Sequence, residues 1–159
     1  MRYIVESDYS MQIKPEIIRL LGNIRDHSLT VDSYDWYNSS NVIRAEHTAI
    51  AQIRNRIGKR YNCDVLFGTA GAPLVGDHFN RDQWIVTIVI DITLYHLYSQ
   101  TGMKDIPQHR QDRYSDAIDW LRDVGNGTTQ ADLLPVTDTE GTEYSEVKIW
   151  SRPPENHKW

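Results

Sequence analysis

The sequence predicts a mainly α protein: a compact bundle of about four helices, with long loops and an extended C-terminal arm that has room for a β-strand. Three observations carry that prediction. Apolar residues recur at spacings of three and four in windows long enough for helices. One window, 84–98, is apolar on almost every side, which requires burial on more than one face. Beyond Gly127 the helical period stops and polar residues take over.

Residues 3–5 read as a short extended start. A first helix follows at 13–21. Pro15 is tolerated there because its missing N–H has no helical partner in a first turn. Ile17, Ile18, Leu20 and Leu21 supply the apolar content, and Gly22-Asn23 is a stop signal. Residues 22–41 read as a loop rich in Asp, Asn and Ser, whose side chains bond nearby backbone. Tyr34, Trp36 and Tyr37 are expected to anchor it to the body. The second helix is capped by Asn41. It carries Val42, Ala45, Ala49, Ile53, Ile57 and Tyr61 on one stripe over roughly five turns. Arg44, Glu46, Gln52, Arg54, Asn55, Arg56, Lys59 and Arg60 are expected on its other face. Gly58 weakens its end by about 1 kcal/mol relative to alanine.

Residues 64–80 read as a loop, because Gly68, Gly71, Pro73 and Gly76 break regular structure. Phe67, Leu74 and Val75 make it apolar, which suits a loop pinned to the core or one that packs on a neighbour. The third helix runs from Asn80 or Arg81 to about Gln100; its apolar run is too long for a typical strand. Thr101-Gly102 ends it. Pro107 opens the fourth helix, and Gly125 and Gly127 close it. The link between these two helices is short, so they are expected to pack antiparallel. The core of that hairpin is assigned to Trp84, Ile88, Ile92 and Tyr95 against Tyr114, Ala117, Ile118 and Leu121. In the arm, Val147 and Ile149 alternate with charged residues, so 143–150 reads as a strand.

Composition narrows the function classes. A chain of 159 residues is one ordinary domain and buries roughly 70% of its unfolded surface without help from disulfides or metal. Cys63 is the only cysteine, so no internal disulfide can form. The net charge of −5 argues against a dedicated nucleic-acid binder, which would show a basic footprint. Nine tyrosines and five tryptophans are generous for this length and suit interfaces as well as cores. The opening MRYIVESDYS is broken by acidic and polar residues, so it does not read as a signal peptide. The window 84–98 is too short and too polar for a membrane span, and a soluble protein is expected.

Signatures of chemistry are scarce. The loop FGTAGAPLVG lacks the Gly-Lys-Ser/Thr ending of a phosphate-binding loop and follows a helix rather than a strand. The six histidines form no spaced pair on a helix. Cys63 has Arg60 nearby, which would lower its pKa. The pairs Asp112/Asp116 and Asp119/Asp123 fall on the outer side of the fourth helix and read as a solvated face. No catalytic residue, metal site or cofactor is expected, and the chain reads as a non-enzymatic subunit of a larger assembly. Asp91 stands apart. It lies in the middle of the most apolar helix, where an unpaired carboxylate would be costly. The antiparallel hairpin brings Arg110 and Arg113 alongside, and an Asp91–Arg113 ion pair is expected to fix its register.

At these two helices the sequence resembles a known family. IDITLYHLYSQ (90–100) and IPQHRQDRYSDAIDWLRDVGNGTTQADLLP (106–135) resemble small proteins of Mu-like phages and prophages. In that family an Asp-x-x-x-Tyr-x-Leu-Tyr helix precedes an Arg-Tyr-x-x-Ala-x-x-Trp-Leu helix and a glycine. The matching residues are Asp91, Tyr95, Leu97, Tyr98, Arg113, Tyr114, Ala117, Trp120, Leu121 and Gly127. The second helix ending in Arg60-Tyr61 fits the family pattern, and Met1-Arg2-Tyr3 matches its opening loosely. The loop 64–80 and the tail after Pro135 depart from it.

The family resembles head–tail connector, or adaptor, proteins of tailed phages. That resemblance implies a virion protein made in the host cytoplasm, forming a homo-oligomeric ring against portal and tail or neck proteins. DNA would pass through without specific binding, and no membrane is implied. A helical domain at 1–135 and an arm at 136–159 are expected. The contact surfaces are assigned to Phe67, Leu74 and Val75 in the loop and to Val147, Ile149, Trp150 and Trp159 in the segment 128–159, which could dock by strand addition. The competing class is a nucleic-acid-binding regulator using Arg44, Arg54, Arg56, Lys59 and Arg60.

Overall fold

The computed structural model describes residues 2–22, 35–68, 81–100 and 106–137. Among them are six helices and no strand: α1 (Glu6–Tyr9), α2 (Pro15–Gly22), α3 (Ser40–Ile57), α4 (Cys63–Phe67), α5 (Gln83–Gln100) and α6 (Gln108–Asn126). The protein is mainly α. The strand expected at 143–150 lies outside the described residues.

Helix α5 is the centre of the body. Every residue from Ile88 through Leu94 is buried, because α3 and α6 both pack against it and α2 touches its other side. That is the arrangement an all-round apolar helix demands. Helix α3 buries Val42, Ala45, Ala49, Ile53 and Ile57 toward this core. Its cap is Ser39, which accepts from the Val42 N–H at 3.3 Å, and not Asn41 as the sequence suggested. Asn41 instead donates to the Gly22 carbonyl at 3.1 Å, tying α3 to the end of α2. A serine oxygen beside the first turn satisfies an orphan N–H as well as an asparagine would, and sequence order alone does not choose between adjacent candidates.

Helices α3 and α6 approach closely at Gly125. A Cβ there would lie 2.4 Å from the Arg56 carbonyl oxygen, so only glycine permits this approach. Gly127 ends α6 in the left-handed region, φ +80°, and its N–H donates to the carbonyls of Asp123 and Val124. The chain then turns back along the end of α3. Ala131 N–H donates to the Tyr61 hydroxyl at 3.1 Å. Asn62 N–H donates to the Leu134 carbonyl at 2.8 Å, and Val136 N–H to the Arg60 carbonyl at 2.9 Å. Residues 128–136, read from sequence as the start of an arm, are therefore strapped to their own domain.

Two short helices leave no mark in the sequence pattern. Helix α4 occupies 63–67 at the start of what was expected to be a loop. Asn62 caps it by accepting from the Asp64 and Val65 N–H groups. Helix α1 follows an N-terminal segment that the sequence suggested was extended. Elements of one turn leave no periodic trace, and their ends are held by side chains rather than by an apolar stripe.

Candidate interaction surface

The α5–α6 seam is built around Asp91. Arg113 donates to it through Nε at 2.7 Å and Nη2 at 3.1 Å. Arg110 Nη1 lies 3.6 Å from the same carboxylate. The side chains of Asp91 and Arg110 are each 7% exposed, whereas that of Arg113 is 44% exposed. Burial pushes the Asp91 carboxyl above its ordinary pKa, and Arg113 and Arg110 pull against that shift. Burial likewise lowers the Arg110 pKa, opposed by Asp91. Gln12 closes the group from α2's side. Its carbonyl accepts from Arg110 Nη2 at 2.5 Å, and its Oε1 accepts from Arg113 Nη2 at 3.3 Å.

The contact between Trp84 and Trp120 is in register with this pair. Trp84 lies seven residues before Asp91 on α5, and Trp120 lies seven residues after Arg113 on α6. Two turns from the ion pair, roughly 10 Å away, the two indoles meet edge to face with centroids 6.1 Å apart. On the opposite side of the ion pair, Tyr95 stacks on Tyr114 with centroids 3.9 Å apart. The helices run antiparallel, as their partner numbers require.

Of the hairpin core assigned from sequence, Ile88, Ile92, Ala117 and Leu121 are buried. Tyr114 and Ile118 are half-buried against them, and Tyr95 is half-buried on Tyr114. Trp84 is the correction: it is 53% exposed, on the rim rather than in the core. A helix packed on several sides still has a first turn that protrudes past its neighbours, and Trp84 is the second residue of α5. Asp112, Asp116, Asp119 and Asp123 recur along one side of α6, with Arg122 paired to Asp119 at 2.9 Å. Trp84 and the half-buried Trp120 form an aromatic step at the surface.

The other sequence-assigned contact residues fare differently. Phe67 does not face outward. It is buried edge to face on Tyr3, with centroids 4.8 Å apart, because α4 folds that part of the loop onto the N-terminal segment. Leu74, Val75, Val147, Ile149, Trp150 and Trp159 lie outside the described residues. Trp36 and Tyr37 do anchor their loop: Trp36 is buried against Tyr9, and the Tyr37 hydroxyl donates to the Ile4 carbonyl at 2.8 Å. Tyr34 lies outside the described residues.

Glu46 is a second correction. The sequence placed it on the polar face of its helix, yet it is 2% exposed. Arg2 pairs with it, Nε to Oε2 at 2.8 Å, and the Tyr9 hydroxyl donates to it at 2.6 Å. Its position one turn after Val42 and just before Ala49 put it on the apolar stripe, which was the available signal. Three basic residues of α3 and the turn after it make separate contacts. Arg54 pairs with Asp64 at 2.7 Å, Arg56 donates to the Gln52 carbonyl at 3.2 Å, and Arg60 lies against Gly127. Cys63 is buried, and burial raises its thiol pKa; the cation that opposes this is Arg54 rather than Arg60.

Among the described residues no group of three or more His, Cys, Asp or Glu side chains could hold a metal ion. No helix among them is long and apolar enough to cross a membrane. No curated protein and no solved structure compared with the chain matches it. The family model described as Bacteriophage Mu, Gp36 matches residues 14–148, which takes in all of α2 to α6. That match spans well over half of the chain, and the chain therefore belongs to the bacteriophage Mu Gp36 family of Mu-like phage proteins.

Proposed function

We propose that this phage protein is a structural subunit of the virion, a head–tail connector (adaptor) that assembles as a ring between portal and tail. Its role on this reading is contact rather than turnover, with no cofactor and no specific grip on DNA. The observation that carries it is the Trp84–Trp120 step. A half-exposed indole is costly to leave in water, and tryptophans that anchor interfaces sit in such positions. Here the step is held in place from below by a buried ion pair, so its shape is set before any partner arrives. The carboxylates along α6 favour a partner with basic side chains and would repel the phosphates of passing DNA. The dispersal of Arg54, Arg56 and Arg60 into internal contacts does not favour a DNA-reading α3.

The test is a phage carrying Trp84→Ala and Trp120→Ala together. Both residues are at least partly exposed, so the purified variant is expected to unfold within about 1–2 kcal/mol of the native protein. Electron microscopy of the lysate should then show filled heads and free tails that fail to join. Normal joined particles would refute the connector reading, as would a protein absent from purified virions.

A further inference from the structure

At the N-terminal end of the body, α1, α2 and Trp36 border an open cavity of about 540 Å³. Ligand sites span roughly 300–1,000 Å³, so its size is that of a binding site. Tyr9, Ile13, Ile18 and Trp36 line it, and all four are buried core residues. Trp36 meets Tyr9 edge to face with centroids 5.4 Å apart, so the apolar wall is part of the core packing.

The polar lining differs in what it has left to donate. The Tyr9 hydroxyl donates to Glu46 at 2.6 Å, and the Ser10 hydroxyl to the Ser7 carbonyl at 2.7 Å. Arg19, which also lines the cavity, is different. Its Nε is buried without a hydrogen-bond partner, and it forms no ion pair among the described residues. Two other arginines at this end each hold a carboxylate: Arg2 holds Glu46, and Arg81 holds Asp8 at 2.7 Å. Glu6 lines the same cavity without pairing with Arg19. Arg19 stands in the last turn of α2, where helix carbonyls favour a cation. That field accounts for the charge but supplies no acceptor to Nε. A guanidinium stays protonated and presents its donors in a fork that fits a carboxylate. Buried donors without acceptors are rare in folded proteins.

We propose that this cavity is a binding site for an acidic side chain, beside an apolar one, on a segment of a neighbouring protein. The carboxylate takes the Arg19 fork, and the apolar neighbour covers the Tyr9–Trp36 wall. The cation selects an anion, and the apolar wall selects against a bare one. The cavity uses neither residue of the Trp84–Trp120 step, so the proposal stands apart from the connector reading.

The test reads the Arg19 Nε–H signal by 15N NMR of the full-length protein. The probe is acetyl-Leu-Glu-Leu-amide, with acetyl-Leu-Gln-Leu-amide and sodium acetate as controls. The glutamate peptide should shift the signal saturably, and each control should bind about tenfold more weakly. Arg19→Gln removes no hydrogen bond or ion pair among the described residues, so it should fold. Read from backbone amides around the cavity, it should weaken peptide binding by about tenfold. Glu6→Gln takes a like charge from the cavity and should tighten binding by about twofold. No shift with the glutamate peptide, an equal response to either control, or unchanged affinity in Arg19→Gln would overturn the proposal. Weaker binding in Glu6→Gln would count against it equally. So would an Arg19 signal that moves in Asp26→Asn with Asp32→Asn before any peptide is added, because the site would then belong to the chain's own segment 23–34.

Discussion

At the α5–α6 seam, Asp91 takes its arginine from 22 residues away; at the N-terminal end, Glu46 takes Arg2 from 44 residues away. Both carboxylates are buried and both meet a guanidinium through two nitrogens. They differ in what surrounds them. Asp91 is shared by two arginines, and Arg110 is as buried as the carboxylate it faces. Glu46 has one arginine and a tyrosine hydroxyl, and it closes a strap rather than a seam: Arg2 also donates to the Tyr37 carbonyl and covers the Tyr37 ring. The first lock joins two long helices already brought together by a short link. The second holds a segment with no long element of its own. The seam lock should therefore act on the global stability of the bundle, and the strap lock on whether its N-terminal end stays docked.

The largest break in that comparison comes from Asp91→Ala. It leaves Arg110 buried with no counter-charge, and a loss of about 3–5 kcal/mol is expected in urea unfolding. Arg113→Ala should cost less, because the arginine removed is half exposed and Arg110 still faces Asp91. A cost equal to that of Asp91→Ala would deny Arg110 its share of the pair.

Glu46→Ala should cost about 2–4 kcal/mol, with Arg2 and Tyr9 both losing a partner. Its signature is uneven. Amide exchange should rise first in residues 2–13, while α5 and α6 stay protected. A uniform rise over the whole chain would erase the distinction between strap and seam.

Gly125→Ala tests the contact that links both regions through α3. Alanine favours a helix by about 1 kcal/mol, but its Cβ would meet the Arg56 carbonyl oxygen. The backbone must separate, and a net loss of about 1–3 kcal/mol is expected from thermal unfolding. A stabilised variant would show that α3 and α6 have slack at this crossing.

The smallest effect is one of pH. His96 sits where α5 faces α3, with Gln52 Nε2 3.0 Å from its Nε2, and burial lowers its pKa. The unfolded chain then binds a proton more readily than the folded one. Stability from this group is complete above about pH 6.5 and falls as pH drops below that value toward the lower folded pKa. His96→Gln should flatten that part of the stability profile; an unchanged slope would assign it to other groups.

The body was legible because α3, α5 and α6 are long. In α3 and α6, eighteen and nineteen residues repeat an apolar period often enough to identify both the helix and its buried side, and in α5 an apolar run of eighteen residues marks a helix covered on several sides. The Asp91–Arg113 approach was legible for a related reason. Two helices joined by a short link can only run antiparallel, and a costly charge on one must look across to the other. Arg2 had no such neighbour relation to Glu46, and nothing in the local pattern pairs them. Phe67 and Trp84 were each misplaced for want of one fact about packing. An aromatic in a loop and an aromatic in an apolar helix look alike until it is known which neighbours cover them.

By itself, then, the sequence determined the helical class, the central place of 83–100, and the antiparallel hairpin with its buried charge, since hydrophobic period and the cost of desolvating a carboxylate are local quantities. The tertiary structure alone decided which surfaces remained open. It buried Phe67, exposed Trp84 at the rim of the α5–α6 seam, and led the chain at Val136 back to Arg60 at the end of α3. Exposure depends on which distant atoms exclude water from a side chain, and no stretch of sequence contains that information.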